Sequence, residues 1–215
     1  MNYNTVIQCD FDGTITEKDV SFFLLDRFAT KDWRKLLEDY RQGKISVGKL
    51  NTEAFSLVKA DEQTLLQAMR GHVDIREGFL DFVDFCREQG FHLHIVSNGL
   101  DFYIREILKC LHLESIPFFA AQTTFHPDGM KVVYRGPDGT SMESGLKKYF
   151  VDSYIEKGCR IFYAGNGPSD LEPARLCHLI FATGDLVSFC REARVPCISF
   201  SDFHEILDEL KTLDL

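Results

Sequence analysis

Thr5-Val6-Ile7-Gln8-Cys9-Asp10-Phe11-Asp12-Gly13-Thr14 is the stretch on which the reading of this chain turns. Its first half is a β-rich run of strand length. Its second half is a polar turn that sets two carboxylates two residues apart beside a glycine. The pattern recurs twice. Residues 91–96 form an apolar run ending at Ser97-Asn98-Gly99, and residues 160–164 end at Gly165-Asn166-Gly167-Pro168-Ser169-Asp170. Weaker strand candidates cover 118–121, 179–182 and 196–200. Between them, apolar residues recur at helical spacing over 78–89, 101–111, 144–157, 169–177 and 202–210. Strands that alternate with helices predict a parallel sheet with helices on both faces.

Residues 17–75 break the alternation. They hold no convincing strand and about four amphipathic pieces, near 19–28, 32–42, 47–58 and 62–69, with Phe22, Phe23, Leu24, Phe28 and Trp33 as the apolar face. An all-helical block between the first and second strands reads as an inserted cap. The expected class is therefore α/β, a Rossmann-like parallel sheet with an all-helical cap. Residues 1–16 and 76–215 are assigned to the α/β catalytic core and 17–75 to the cap. Around 130–135, the turn signals Pro127-Asp128-Gly129 and Gly136-Pro137-Asp138-Gly139 predict a hairpin or flap within 125–145.

The bulk composition narrows the function. The 215 residues are 45% hydrophobic and 27% charged, ordinary values for a folded chain able to bury a full core. A net charge of −9 and a pI of about 5.2 argue against nucleic acid as the partner, because gripping it needs a basic surplus. An anionic small molecule remains compatible, held by local devices such as a metal ion, one lysine or backbone N–H groups. The seven cysteines never form C-x-x-C and sit mostly in apolar runs, so they are expected to be buried thiols in a reducing compartment. Residues 1–4 show no signal-peptide pattern and no segment has membrane-spanning length, which makes the cytoplasm the expected location and excludes a membrane partner. Oligomeric state is open at this level.

In open parallel sheets, ligands bind beyond the carboxyl ends of the strands. The three polar turns then converge on one rim. Asp10 and Asp12 repel each other unless a cation or a proton relieves them, and Mg2+ favours such hard oxygen ligands. One aspartate can attack phosphorus to give an acyl phosphate, while the other protonates the leaving oxygen and later activates water. Ser97-Asn98-Gly99, followed by a helix-like segment, offers a hydroxyl and free N–H groups to an anion. Lys147 and Lys148, 19 and 18 residues before Asn166, offer a point charge for phosphate, with Lys147 preferred. Asn166 and Asp170 offer oxygen ligands.

Taken in order, D-x-D-G-T, S-N-G, a lysine and G-N-G-x-x-D resemble the haloacid dehalogenase-like hydrolase superfamily, in particular its phosphoserine-phosphatase-like branch. The resemblance spans nearly the whole chain, cap included. It implies Asp10 as nucleophile and Asp12 as general acid/base, with the Asp12 carbonyl on Mg2+ as well. It also implies Ser97, Asn98, Gly99 and Lys147 around the phosphoryl group, and Asp10, Asp12, Asn166 and Asp170 around the metal. A second aspartate at the Asp12 position favours phosphate over halide chemistry. The fourth motif departs from the usual Gly-Asp: Asn166 brings an amide oxygen without charge, which weakens metal affinity. Asp19 falls where the phosphoserine enzymes place a substrate-binding cap glutamate, whereas their cap arginine has no counterpart near Thr52. The start Asp10-Phe11-Asp12-Gly13-Thr14-Ile15-Thr16 and the stretch Asp202-Phe203-His204-Glu205 look closer to methionine-salvage phosphatases that act on a methylthio-pentenyl 1-phosphate.

The expected function is Mg2+-dependent hydrolysis of a small phosphorylated metabolite. The alternatives are a non-catalytic phosphate-ligand module and phosphotransfer to an alcohol. His92 and His94 alternate on one strand, but with no third ligand nearby they read as core-edge or hydrogen-bonded residues. The acidic tail over 208–215 reads as a solvated helix end.

Overall fold

β1 (Thr5–Cys9) is buried at every residue. Side chains alternate along a strand, so both faces of the sheet around it are covered. The computed structural model of the chain describes residues 5–136 and 138–213, so Pro137 of the second turn signal, Asp214 and Leu215 of the tail, and residues 1–4 lie outside the described residues. The other strands are β2 (His92–Leu100), β3 (Phe118–Thr124), β4 (Lys131–Arg135), β5 (Ser141–Met142), β6 (Arg160–Gly165), β7 (Leu179–Ala182) and β8 (Ile198–Ser199). They form one sheet in the order β5-β4-β3-β2-β1-β6-β7-β8. From β3 to β8 neighbouring strands run parallel, and β4 and β5 extend the sheet as an antiparallel flap on the far side of β3. The chain steps outward from β1 through β2 and β3, then returns to β6 on the other side. That reversal opens a crevice at the carboxyl end of β1.

Between β1 and β2, four helices fill residues 17–75: α1 (Val20–Phe28), α2 (Arg34–Arg41), α3 (Val47–Phe55) and α4 (Glu62–Met69). α1, α3 and α4 begin at Asp19, Ser46 and Asp61, whose side chains accept from backbone N–H groups of the first turn. The outgoing and returning chains run side by side through a Thr16–Ile75 bridge, with Glu17 N–H donating to Asp74 O (2.9 Å) and Arg76 N–H to Ile15 O (2.8 Å). Leu24 and Trp33 are fully buried, while Phe22, Phe23 and Phe28 are partly so. The flap braces this block. Met130 N–H meets the carbonyls of Phe55 and Val58, and Asn51 Nδ2 donates to the Tyr134 hydroxyl at 2.6 Å.

The remaining helices are α5 (Phe79–Glu88), α6 (Asp101–Cys110), α7 (Leu146–Glu156), α8 (Pro168–Ala174), α9 (Gly184–Ala193) and α10 (Phe203–Thr212). Phe79 and Phe82 of α5 pack on Phe203 of α10 with ring centroids 5.1 Å apart, each burial contributing about 1.5–3 kcal/mol. α9 was not expected from spacing. Only Leu186 and Cys190 of it are buried, so its apolar stripe is thin. A second difference lies in β2, which continues through Ser97-Asn98-Gly99 to Leu100. Its pairing with β3 jumps from Val96–Phe119 to Leu100–Ala121, so residues 97–99 bulge out of register, and α6 starts only at Asp101. Ser97 is thus on a bulged strand end and does not cap a helix.

Cys9, Cys86 and Cys190 are buried thiols as expected, but Cys110 is exposed and the other three are intermediate, because helix ends and loops carry them. Among the described residues no helix is long and apolar enough to cross a membrane. His94 Nδ1 lies 2.6 Å from the Tyr154 hydroxyl and His92 is exposed, so this pair does not gather around an ion.

Candidate active site

The carboxyl ends of β1, β2 and β6 meet at a cavity of about 930 Å3. Asp10, Asp12, Asp19, Ser97, Asn98, Gly99, Lys147 and Asn166 all line it. β1 delivers Asp10, whose Oδ1 accepts from Phe11 N–H (2.7 Å) and whose Oδ2 lies 2.7 Å from Lys147 Nζ. The lysine sits in the first turn of α7 and is 3% exposed. Gln8 of β1 anchors that turn by donating from Nε2 to the Lys147 carbonyl at 3.0 Å. Lys148, one position on, pairs with Asp152 at the surface.

Asp170 is placed differently from its expected role as a metal ligand. It is fully buried behind the cavity wall, and each carboxylate oxygen takes two protein donors. Oδ1 accepts from Lys147 Nζ (2.6 Å) and the Tyr163 hydroxyl (2.7 Å); Oδ2 accepts from the N–H groups of Asn166 (3.1 Å) and Gly167 (2.9 Å). With four donors around it, this carboxylate holds the lysine and the 166–167 loop in place and has no edge to offer an ion. The Asn166 carbonyl accepts from Leu186 N–H of α9 at 2.9 Å, which fastens the loop from its other side.

Gly13 has φ +72°, and a Cβ there would collide with the Asn166 carboxamide. The two motifs therefore touch. Arg76 fixes the same turn, donating to the carbonyls of Thr14 (2.7 Å), Gly13 (2.8 Å) and Ser201 (2.8 Å). Gly13→Ala combines a left-handed backbone with this clash. We expect it to melt lower than the parent by roughly 1–3 kcal/mol of stability, read by thermal denaturation.

The electrostatics are unbalanced. Burial pushes Asp10 up to about 7 despite Lys147, Asp12 up to about 8 and Asp19 up to about 7. Burial also works against the Lys147 ammonium, but Asp10 and Asp170 outweigh it and hold its pKa above the ordinary lysine value. The three carboxyls with raised pKa values thus line one cavity around the buried Lys147 ammonium, an environment that favours a proton or a divalent cation. Asp19 also caps α1 through Phe22 N–H at 2.8 Å. Ser97 Oγ accepts from Gly99 N–H at 2.9 Å, and the Asn98 carbonyl accepts from Asn51 and Tyr134.

Several lining residues escaped the sequence reading. Thr183, Gly184 and Asp185 follow β7, and the rule of strand carboxyl ends would have flagged them. Ser21, Asn51 and Phe189 carry no local signal.

The family model for haloacid dehalogenase-like hydrolases matches residues 7–175, and the chain belongs to that family. Among curated relatives, the 2-hydroxy-3-keto-5-methylthiopentenyl-1-phosphate phosphatase of Brevibacillus brevis is 28% identical over 96% of this chain and 95% of its own. The protein of the same description from Geobacillus kaustophilus is 27% identical over 100% and 99%. Among solved structures, a phospho-aspartyl intermediate analogue of phosphoserine phosphatase superposes with a TM-score of 0.72 at 20% identity, over 97% of this chain and 99% of that one. A phosphoserine phosphatase from T. onnurineus gives 0.72 at 19% over 99% and 96%. These likenesses establish the α/β fold with its inserted helices.

Proposed function

We propose that the chain is a phosphomonoesterase that hydrolyses a small phosphorylated metabolite through a phospho-aspartate at Asp10. The observation that carries this reading is the Asp10–Lys147–Asp170 chain at the mouth of β1, with Asp12 and Ser97 on the same cavity wall. An Asp10 oxygen attacks phosphorus as the ester P–O bond breaks, and the Asp12 proton passes to the leaving oxygen. Asp12 then takes a proton from the water that cleaves the acyl phosphate. Lys147, Ser97 and the backbone at Asn98 and Gly99 hold the phosphoryl oxygens and keep attacking and leaving atoms in line.

Family members of this kind generally use Mg2+. The donor set here fits one: hard oxygens and an excess of buried carboxyl on the cavity wall. Asp10, the Asp12 carbonyl and Asn166 would hold the ion, which when bound would supply positive charge to offset that of the phosphoryl group. Asp170 acts one step back, through Lys147 and the loop. The sign of the metal effect on stability follows. Carboxyls with raised native pKa values stabilise the metal-free fold at low pH, and that contribution is lost as pH rises from about 4 towards 7–8. MgCl2 is expected to raise the melting temperature more at about pH 8.5 than at about pH 6. An equal shift at both would argue against an ion among these carboxyls.

We assign residues 17–75 as the cap that closes the cavity and selects substrate. Phe22, Leu37, Val47 and Leu50 give it an apolar wall, which suits the uncharged carbon chain of the pentenyl phosphates named for the relatives better than a phosphoamino acid. The test is phosphate release from a panel of about a hundred phosphorylated metabolites with MgCl2. Release from a subset supports the reading; tight binding with no release would leave a phosphate-ligand module, and a phosphorylated alcohol as product would indicate transfer.

A further inference from the structure

Asp12 is held by both of its oxygens. Oδ1 accepts from the N–H of Val20, the first residue of α1, at 2.9 Å, and Oδ2 accepts from the hydroxyl of Tyr103 on α6. Tyr103 is wholly buried, and its hydroxyl also lies 2.9 Å from Ser21 Oγ, which lines the cavity. A phenol has one proton, so with Asp12 as acceptor the Ser21 hydroxyl donates to Tyr103. Gly99 makes the arrangement possible, since a Cβ there would collide with both the Tyr103 hydroxyl and Asp12 Oδ2. Two stretches distant in sequence thus build a socket around one carboxyl: the β2 bulge with the first turn of α6, and the start of α1.

We propose that Tyr103, supported by Ser21, is a positioning residue that aims the Asp12 carboxyl at the leaving oxygen and makes that aim depend on α1 being seated. The inference rests on the phosphomonoesterase reading. One lone pair on each Asp12 oxygen is committed, so turning the buried carboxyl about its Cβ–Cγ bond breaks two hydrogen bonds, and a buried group pays for each one lost. Asp12 lines the cavity, and the lone pairs left over by these two bonds are the ones available to a leaving oxygen. Two of the three groups that fix it, Val20 N–H and Ser21 Oγ, belong to the helical insertion. When that insertion lifts, the carboxyl loses its Val20 partner and Tyr103 loses its Ser21 partner. A seated cap then delivers an aligned proton donor, and an open one does not.

The step affected is the first one: Asp10 bonds to phosphorus, the ester P–O electron pair goes to the leaving oxygen, and that oxygen collects the Asp12 proton. Its dependence on the acid is read by changing the acidity of an aryl leaving group, each ester being compared between variant and parent. Phenyl phosphate needs protonation and p-nitrophenyl phosphate scarcely does. For Tyr103→Phe, kcat/KM is expected to fall about tenfold or more with phenyl phosphate and about threefold or less with the nitrophenyl ester, since general acids contribute roughly 10²–10⁴. Ser21→Ala, which leaves the buried ring intact, is expected to show the same bias at smaller size, and it keeps the test decisive should Tyr103→Phe fold poorly. Equal losses on both esters, or no loss in either variant, would overturn the inference while leaving the phosphatase reading intact. Wild-type protein that releases phosphate from neither ester nor any metabolite in the panel would overturn both.

Discussion

Asp10→Asn stops turnover, with phosphate release expected to fall about 10³-fold or more. The exchange is nearly isosteric, and its structural cost is small. The amide oxygen can still accept from Phe11 N–H, while Lys147 keeps Asp170 as a partner 2.6 Å away. What disappears is the charged oxygen that forms the bond to phosphorus. An amide presents at that position a neutral oxygen or an N–H, and the N–H would point at the Lys147 ammonium that Asp10 Oδ2 now meets at 2.7 Å. Rapid acid quench with labelled substrate reads the chemistry directly. Wild-type protein retains label in an alkali-labile acyl phosphate, and the variant retains none. Turnover by the variant at the parental rate would remove Asp10 from the nucleophile's role.

Lys147→Met is expected to cost both activity and about 3–5 kcal/mol of stability, whereas Lys148→Met leaves stability nearly unchanged. The two lysines are adjacent in sequence and opposite in consequence. Lys147 is 3% exposed and bridges Asp10 and Asp170; its removal leaves two buried carboxyls facing each other with no cation. Those groups must then take up protons or open the site to water. Lys148 makes a surface pair with Asp152 four residues on, where solvent screens the attraction. For a chain of this size, the first change is expected to lower the melting temperature by roughly 10 °C or more, and the second by about 2 °C at most. Parallel melts of the two variants settle the matter, and similar curves would contradict a buried bridge at Lys147. Lys147→Arg is no substitute, because a planar fork cannot occupy the space between two carboxylates that a compact ammonium fills.

Much of the site was legible locally because its parts are local devices. A short buried strand followed by carboxylates and a glycine needs no partner to be recognised. Asp10, Asp12 and Gly13 therefore stood out, as did the turns at 97–99 and 165–170. The parallel alternation then implied that these turns share a rim. The structure brings them to one cavity, with Gly13 packed against Asn166 and Lys147 bridging Asp10 and Asp170. The polar turn after β7 obeys the same rule, but a four-residue strand and a turn without a paired carboxylate or glycine-flanked amide give it little local signal.

Composition and local pattern by themselves determined the α/β class, the order of the motifs and the helical block after β1, because apolar periodicity and turn chemistry act over a few residues. Only the tertiary structure decided which lysine enters the site. A helix turns about 100° per residue, and the phase of α7 is set by its packing on β2 and β6 and by Gln8. It likewise decided that Asp170 faces inward to Lys147, Tyr163 and two backbone N–H groups, and that Tyr103 and Ser21 meet at Asp12. Hydrogen bonds between residues 82 and 91 positions apart leave no trace in local sequence; they exist because the sheet brings α1 and α6 to the same end of β1.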